Sequence, residues 1–152
     1  MIQRIAFDYG RTLFNRERNE FFPEVSAVLT ELSKDYSLSI VSYSKPDDVD
    51  SRTAALKELG VWELFEGVWF VDRPELKHSA LDEMLKRFQL QPEEVAVVDD
   101  YVIRGIAWAN ERGATSIWFR NGKFSSLEPS DEIGKPSFEI SNFGEILGCL
   151  TP

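Results

Sequence analysis

The chain has 152 residues, of which 43% are hydrophobic and 28% charged, as expected for a soluble globular protein. Its net charge of −9 would repel a nucleic-acid backbone, and no apolar run approaches the ~20 residues that cross a bilayer. The N-terminus lacks a signal-peptide pattern, and a lone cysteine, Cys149, excludes an internal disulfide. We predict one domain over residues 1–152, located in the cytoplasm, with no nucleic-acid or membrane partner. Oligomerisation is left open.

Short apolar runs alternate along the chain with segments of helical period, which is the pattern of a parallel sheet covered by helices. The predicted strands are residues 2–7, 38–41, 68–71, 95–98 and 115–119, with a short edge strand at 138–140. The sequence therefore predicts a three-layer, Rossmann-like α/β fold with a parallel sheet of five or six strands and helices on both faces.

Apolar residues at helical spacing predict helices between these strands, around residues 25–32, 55–59, 81–88 and 103–110. Gly60 and Gly113 each follow a helical segment, where a left-handed closing residue is expected. The stretch 121–136 is polar and rich in Gly, Pro and Ser, and we expect it to run over the surface before the last strand.

Polar residues follow several of the predicted strands. Asp8 comes after the first strand, Ser42 after the second and the pair Asp99-Asp100 after the fourth. Ligands of open parallel sheets bind beyond the carboxyl ends of the strands, so these side chains should gather there. Adjacent carboxylates repel each other unless a cation or a proton intervenes. Taken singly, each residue also has an ordinary explanation as a turn former or a helix cap.

Lys77 begins the helix after the third strand, where the helix macrodipole disfavours a positive charge. It shares the helical spacing of the apolar residues that face the core, so its ammonium group should emerge at the strand ends. A lysine reaching into solvent from a frayed helix start is the alternative. Together, a carboxylate nucleophile, a hydroxyl, an ammonium and an acidic pair are the groups that phosphoryl transfer through an aspartyl phosphate needs.

At this point the sequence resembles the haloacid dehalogenase superfamily, whose members are mostly magnesium-dependent phosphatases. The first motif of that family reads D-x-D-x-T-[LV] after the first strand. Asp8, Thr12 and Leu13 match it, whereas Gly10 stands in place of the second acid. Ser42 and Lys77 resemble the hydroxyl and lysine motifs, and the resemblance extends over nearly the whole chain.

The fourth motif of the family commonly reads Gly-Asp, followed by a second acid about a turn later. Aligning Gly113 with the glycine that closes the next helix puts Asp100 on the metal-ligand position and Asp99 on the preceding glycine. Gly105 then stands in place of the later acid. Two acids of the family pattern are therefore glycine here, and Asp99 is positioned to compensate for the missing carboxylate at Gly105.

The resemblance implies a set of roles for these residues. Asp8, Ser42 and Lys77 would be catalytic, with Ser42, Lys77 and Thr12 binding phosphate and Asp8, the Gly10 carbonyl, Asp100 and Asp99 binding Mg²⁺. The substrate would be a phosphorylated small molecule or a phosphoprotein. The two intervals that join Asp8, Ser42 and Lys77 each have room for a helix and short connections only. We therefore expect no cap domain and an open site.

Two functions fit these residues. A phosphatase would be slow, because Gly10 removes a general acid worth ~10²- to 10⁴-fold, unless the leaving group needs no protonation. The alternative is an impaired protein of this fold that binds a partner or a phosphorylated ligand.

Superfamily members that hydrolyse carbon–halogen or carbon–phosphorus bonds also lack the second acid. A phosphorylation receiver domain uses similar residues, but its acidic pair follows the first strand.

Overall fold

The computed structural model describes all 152 residues and contains a parallel sheet covered by helices. The strands are β1 (Arg4–Phe7), β2 (Phe14–Asn15), β3 (Glu20–Phe21), β4 (Ser37–Tyr43), β5 (Phe65–Val71), β6 (Val95–Asp99), β7 (Thr115–Phe119) and β8 (Phe138–Ile140). The helices are α1 (Val25–Leu32), α2 (Val49–Leu59), α3 (Lys77–Arg87), α4 (Ala107–Arg112) and α5 (Ile146–Cys149). A π-helical turn at Val102–Ile106 leads into α4. None of these helices is long and apolar enough to span a bilayer.

Six strands form the main sheet in the order β5-β4-β1-β6-β7-β8, with every pair parallel. The chain runs outward from β1 through β4 to β5, then returns to place β6 on the other side of β1. This reversal opens a crevice at the carboxyl ends of β1 and β6, the usual ligand position in such sheets. The predicted fold class is confirmed, and the sixth strand is present.

The alternation of side chains along the strands divides the core between the two faces of the sheet. Residues such as Ile5, Phe7 and Ile40 are fully buried beneath α1, α2 and α5, whereas Ala6 and Val97 pack with α3 and α4. Each layer of helices thus covers one set of alternate strand residues, as the period of two along a strand requires.

Several local features agree with the sequence and one does not. Gly60 and Gly113 end α2 and α4 in the left-handed conformation, both at φ 84°. The antiparallel hairpin of β2 and β3 was not predicted, because strands of two residues are too short to show a period. This hairpin and α1 lie between β1 and β4, and α2 lies between β4 and β5, so the expected absence of a cap domain is confirmed.

Candidate active site

The carboxylate of Asp8 stands at the crevice between β1 and β6. The backbone amide of Asp8 donates to the Val98 carbonyl at 3.0 Å, which extends the pairing of the two strands by one residue. The chain then turns sharply, because the Tyr9 carbonyl accepts the amides of Leu13 at 2.9 Å and Phe14 at 3.0 Å. Asp8 keeps 12% of its side chain exposed, and this part faces the cavity.

Ser42, at the end of β4, holds the Asp8 carboxylate from one side. Its hydroxyl donates to Asp8 Oδ1 at 2.8 Å and accepts the Tyr9 amide at 3.3 Å. Thr12 is fully buried and donates to Asp8 Oδ2 at 3.3 Å. Because Thr12 does not line the cavity, its contact favours a role in orienting the carboxylate over the phosphate contact that the sequence predicts.

The ammonium of Lys77 lies between two carboxylates. Lys77 Nζ is 3.2 Å from Asp8 Oδ1 and 2.6 Å from Asp99 Oδ2, and its side chain is only 5% exposed. The helical spacing of α3 therefore brings the ammonium to the strand ends, where two negative charges oppose the unfavourable helix dipole. Burial opposes the charge on this amine, but Asp8 and Asp99 raise the pKa of Lys77 above its usual range.

The carboxylate of Asp99 fills the space that a side chain at position 105 would need. Asp99 Oδ2 accepts the Gly105 amide at 2.8 Å, and Oδ1 accepts the Tyr101 amide at 3.1 Å. A Cβ at position 105 would lie 2.5 Å from Asp99 Oδ2 and 2.8 Å from a methyl of Val97. The carboxylate of Asp99 thus stands against the backbone of Gly105, the position that the alignment gives to the later acid of the motif.

Asp100 has a buried carboxylate oxygen with no partner. Asp100 Oδ2 makes no hydrogen bond, although the residue is only 3% exposed. The backbone of this residue is fixed, because the indole of Trp118 donates to the Asp100 carbonyl at 3.0 Å. An unpaired buried polar atom is costly in a folded protein and indicates a missing ligand or proton.

The charges of the site depend on one another. Burial raises the pKa of Asp100 to about 10, with the negative charges of Asp8 and Asp99 adding to the effect. Burial also raises the pKa of Asp99, against the pull of Lys77. For Asp8 burial is outweighed by Lys77, Ser42 and Asp100, which hold the pKa of this carboxyl below its usual range. Asp8 is therefore ionised, whereas the carboxyl group of Asp100 keeps its proton until a positive charge binds beside it.

The three carboxylates fit a divalent cation. Asp8, Asp99 and Asp100 each offer one oxygen, and these atoms lie within 4.8 Å of one another. Oxygen ligands of Mg²⁺ stand ~2.1 Å from the ion, so two ligand oxygens of one ion lie at most ~4.2 Å apart, which is close to the spacing of these carboxylates. The unpaired oxygen of Asp100 is the group that such an ion would satisfy.

A cavity of about 280 Å³ opens over these residues. Four of the basic side chains that line it were not identified from the sequence. They are Arg11, Arg16, Arg52 and Arg104, which join Lys77 around the cavity. Arginines are common on surfaces, and Arg11 stands at a variable position of the first motif, whereas Arg16, Arg52 and Arg104 belong to no motif. Only their clustering in space distinguishes them, and the sequence carries no signal of it.

Comparison with known proteins agrees with this fold. The model of the haloacid dehalogenase-like hydrolase family matches residues 1–119, so the chain belongs to that family. Glyceraldehyde 3-phosphate phosphatase from Methanopyrus kandleri is 32% identical over 68 residues. The match covers 45% of this chain and 29% of that protein, so the aligned segment spans less than a third of the relative.

Solved structures with little sequence similarity share the fold over nearly the whole chain. A haloacid dehalogenase-like family hydrolase from Streptococcus pneumoniae has a TM-score of 0.73 at 16% identity, with 97% of each chain covered. The structure of a haloacid dehalogenase (HAD)-type hydrolase from Bacillus subtilis, solved bound to magnesium, has a TM-score of 0.76 at 10% identity, also with 97% of each chain covered.

Proposed function

We propose that this protein is a magnesium-dependent phosphohydrolase that works through an aspartyl phosphate on Asp8. The observation that carries the proposal is the Asp8 carboxylate, which faces a cavity and is held by Ser42 at 2.8 Å and Lys77 at 3.2 Å. A scaffold has no need of a buried ammonium and a buried hydroxyl aimed at one carboxylate. The family and the phosphatase name of the Methanopyrus relative support the same reaction class.

In the first step, Asp8 attacks the phosphorus of the substrate and displaces the leaving group. The low pKa of Asp8 keeps this nucleophile ionised, and Ser42 and Thr12 orient it. Lys77 lies beside the attacking oxygen and stabilises the negative charge that the phosphoryl group brings. Asp99 in turn holds Lys77 in place.

Mg²⁺ would be held by Asp8, Asp100 and the Gly10 carbonyl. When bound, it would neutralise phosphoryl oxygens and position them against the nucleophile. Gly10 also lines the cavity, and any residue at this position would offer the same carbonyl. Asp99 is occupied by Lys77 and two backbone amides, which favours a supporting role for it over direct binding.

The proposal is tested with a phosphatase panel that includes an activated aryl phosphate, assayed with Mg²⁺ and with a chelator. Asp8→Asn should lower turnover by ~10³-fold or more, since the covalent route is lost. Asp72→Asn is the matched control, because Asp72 follows β5 at the same end of the sheet, is 65% exposed and does not line the cavity. A wild type that binds Mg²⁺ and phosphate but turns over no substrate would instead favour the ligand-binding function.

A further inference from the structure

The side chain of Arg16 lies against Gly10, where most of the family carries its general acid. A Cβ at position 10 would stand 3.4 Å from Arg16 Cδ, and no other residue would come within 4 Å of it. Arg16 belongs to the hairpin connection between β2 and β3. The position beside the reacting carboxylate therefore has no acid, and the aliphatic part of an arginine side chain borders it.

Arg52 brings a second positive charge to the same region. Its guanidinium group lies 4.7 Å from the centre of the Tyr9 ring and donates to the Tyr43 carbonyl at 2.8 Å. Neither Arg16 nor Arg52 has a carboxylate within 4.0 Å, although other arginines of this acidic chain form ion pairs. Two unpaired guanidinium groups in a protein of net charge −9 are free to bind an anion.

The two arginines also border a neighbouring cavity. Arg16, Arg52 and Gly10 line both the active-site cavity and a second one of about 360 Å³. A molecule that places its phosphoryl group at Asp8 and extends past Gly10 would thus pass between cavities that Arg16 and Arg52 both line. The second cavity also contains Asp48 and Ser51, so it is polar.

The chemistry of arginine determines what these groups can do for a leaving group. A guanidinium remains protonated at neutral pH and is a poor proton donor, but it stabilises a negative oxygen by charge and paired hydrogen bonds. An alkoxide needs a proton as it departs. A carboxylate or a phosphate does not, because each is a stable anion at neutral pH.

We infer that the substrate carries its phosphoryl group on an anionic leaving group of low basicity, as in an acyl phosphate or a phosphoanhydride, and that Arg16 and Arg52 bind this group. The inference rests on the proposed function and specifies its substrate class. The Asp8 oxygen forms a bond to phosphorus while the bond from phosphorus to the leaving oxygen breaks. The leaving carboxylate or phosphate keeps the electron pair and takes no proton.

The second step needs no strong acid either. Water attacks the phosphorus of the aspartyl phosphate, the bond to the Asp8 oxygen breaks, and Asp8 leaves as a carboxylate. Both protons of the water remain on the product, which departs as dihydrogen phosphate and then equilibrates with solvent. The absence of an acid at position 10 therefore costs most with alkyl esters and least with this substrate class.

The first test compares acetyl phosphate and pyrophosphate with glycerol 3-phosphate on the wild type with Mg²⁺, after subtraction of the Asp8→Asn rate. We expect kcat/KM for at least one anionic-leaving-group substrate to exceed that for the alkyl ester by ~10²-fold or more. The better of the two identifies carboxylate or phosphate as the leaving group. Equal rates on all three would overturn the inference and leave the proposed function intact. No Asp8-dependent turnover of any phosphate, aryl phosphates included, would overturn both.

The second test asks whether the arginines act on the leaving oxygen. Arg16→Gln and Arg52→Gln should each lower kcat/KM for the preferred substrate by about 10-fold or more. Across aryl phosphates of graded leaving-group pKa, the two variants should show a steeper dependence of rate on that pKa, which a purely structural defect would not produce. Arg18→Gln is the control, since this exposed arginine belongs to the same hairpin connection but lines neither cavity. Unchanged slopes in both variants would overturn the assignment.

Discussion

Gly10 is one of the two residues at which the sequence differs from the motifs that it resembles. Its backbone is not in the left-handed region, so a side chain there meets no backbone strain. The nearest neighbour of a new Cβ would be the flexible Arg16 side chain at 3.4 Å, which can move away. A carboxylate is therefore sterically acceptable at position 10, and its absence is a chemical difference only.

Gly10→Asp should raise the turnover of alkyl phosphates by ~10²-fold or more, because it supplies the missing proton donor. Activated aryl esters should gain much less. Arg16 beside the new carboxyl would hold the pKa of that acid low and weaken it as a donor. The double variant with Arg16→Ala should therefore exceed Gly10→Asp on alkyl substrates, as steady-state kinetics would measure. A gain that is equal for alkyl and aryl substrates would contradict this account.

Asp100 makes the stability of the metal-free protein depend on pH. Its pKa is about 10 in the fold and ~3.9 in the unfolded chain, so the folded protein retains a proton that the unfolded chain loses. The stabilising effect of that proton is complete below about pH 4 and is lost as pH rises toward the folded pKa, by up to ~1.4 kcal/mol per pH unit.

In a chelator, the free energy of unfolding of the wild type should thus fall between about pH 6 and about pH 9, and that of Asp100→Asn should fall less. Mg²⁺ should restore the free energy of unfolding of the wild type. It should also bind more tightly at the higher pH, because its binding displaces the proton of Asp100. Urea denaturation at both pH values measures each effect. The same magnesium stabilisation in wild type and in Asp100→Asn would count against Asp100 as a ligand.

At the scale of elements, the end of β6 packs tightly against the π-helical turn at Val102–Ile106, with room for one carboxylate between them. Asp99 fills the space in front of Gly105 and accepts its amide, so the two positions share room for one carboxylate. A larger residue at 105 must displace Asp99, and with it the contact to Lys77.

Gly105→Ala should therefore destabilise the protein by about 1–3 kcal/mol, the usual cost of overpacking a core. The exchange Asp99→Gly with Gly105→Asp keeps one carboxylate in the space and should recover part of that loss and part of the activity. Thermal denaturation and aryl phosphatase assays of the single and double variants give the comparison. A double variant that is no better than Gly105→Asp alone would show that the two positions are independent.

Sequence reasoning located the cavity side chains that stand at strand ends and missed those that stand elsewhere. Asp8 and Asp100 follow β1 and β6, and Ser42 lies in the last residues of β4; the apolar runs of these strands are clear, and their carboxyl ends must meet in a parallel sheet. Arg16 lies on a hairpin whose strands have two residues each, which is too few for a period. Arg52 lies on α2, where only Leu56 is buried, so the helix shows little of the amphipathic pattern that orients a side chain.

On the scale of the whole molecule, the last strand and helix complete the core under the active site. Phe143 is 2% exposed and packs with Phe7 of β1 at 5.9 Å and Phe119 of β7 at 6.2 Å between ring centres. Phe7 is the residue immediately before Asp8. The segment after residue 119, which the family model does not cover, is therefore part of the packing that supports the strand before Asp8.

Phe143→Ala should lower the free energy of unfolding by about 3–5 kcal/mol, as the loss of a buried phenyl ring does. Leu147→Ala, a control on α5 at a side chain that is 43% exposed, should change it by less than ~0.5 kcal/mol. Urea denaturation of the two variants against wild type checks the contrast. Equal effects would mean that the C-terminal segment adds little to the core.

The ion cluster of Asp8, Lys77 and Asp99 joins three parts of the chain that no local segment brings together. The sheet must first pair β1 with β6 and dock α3 before the ammonium can meet either carboxylate. Contacts between residues so distant in sequence close long loops, and the conformational entropy lost in closing those loops opposes them. The arrangement of these three side chains therefore depends on the complete sheet, and no isolated segment of the chain holds Asp8 beside Lys77.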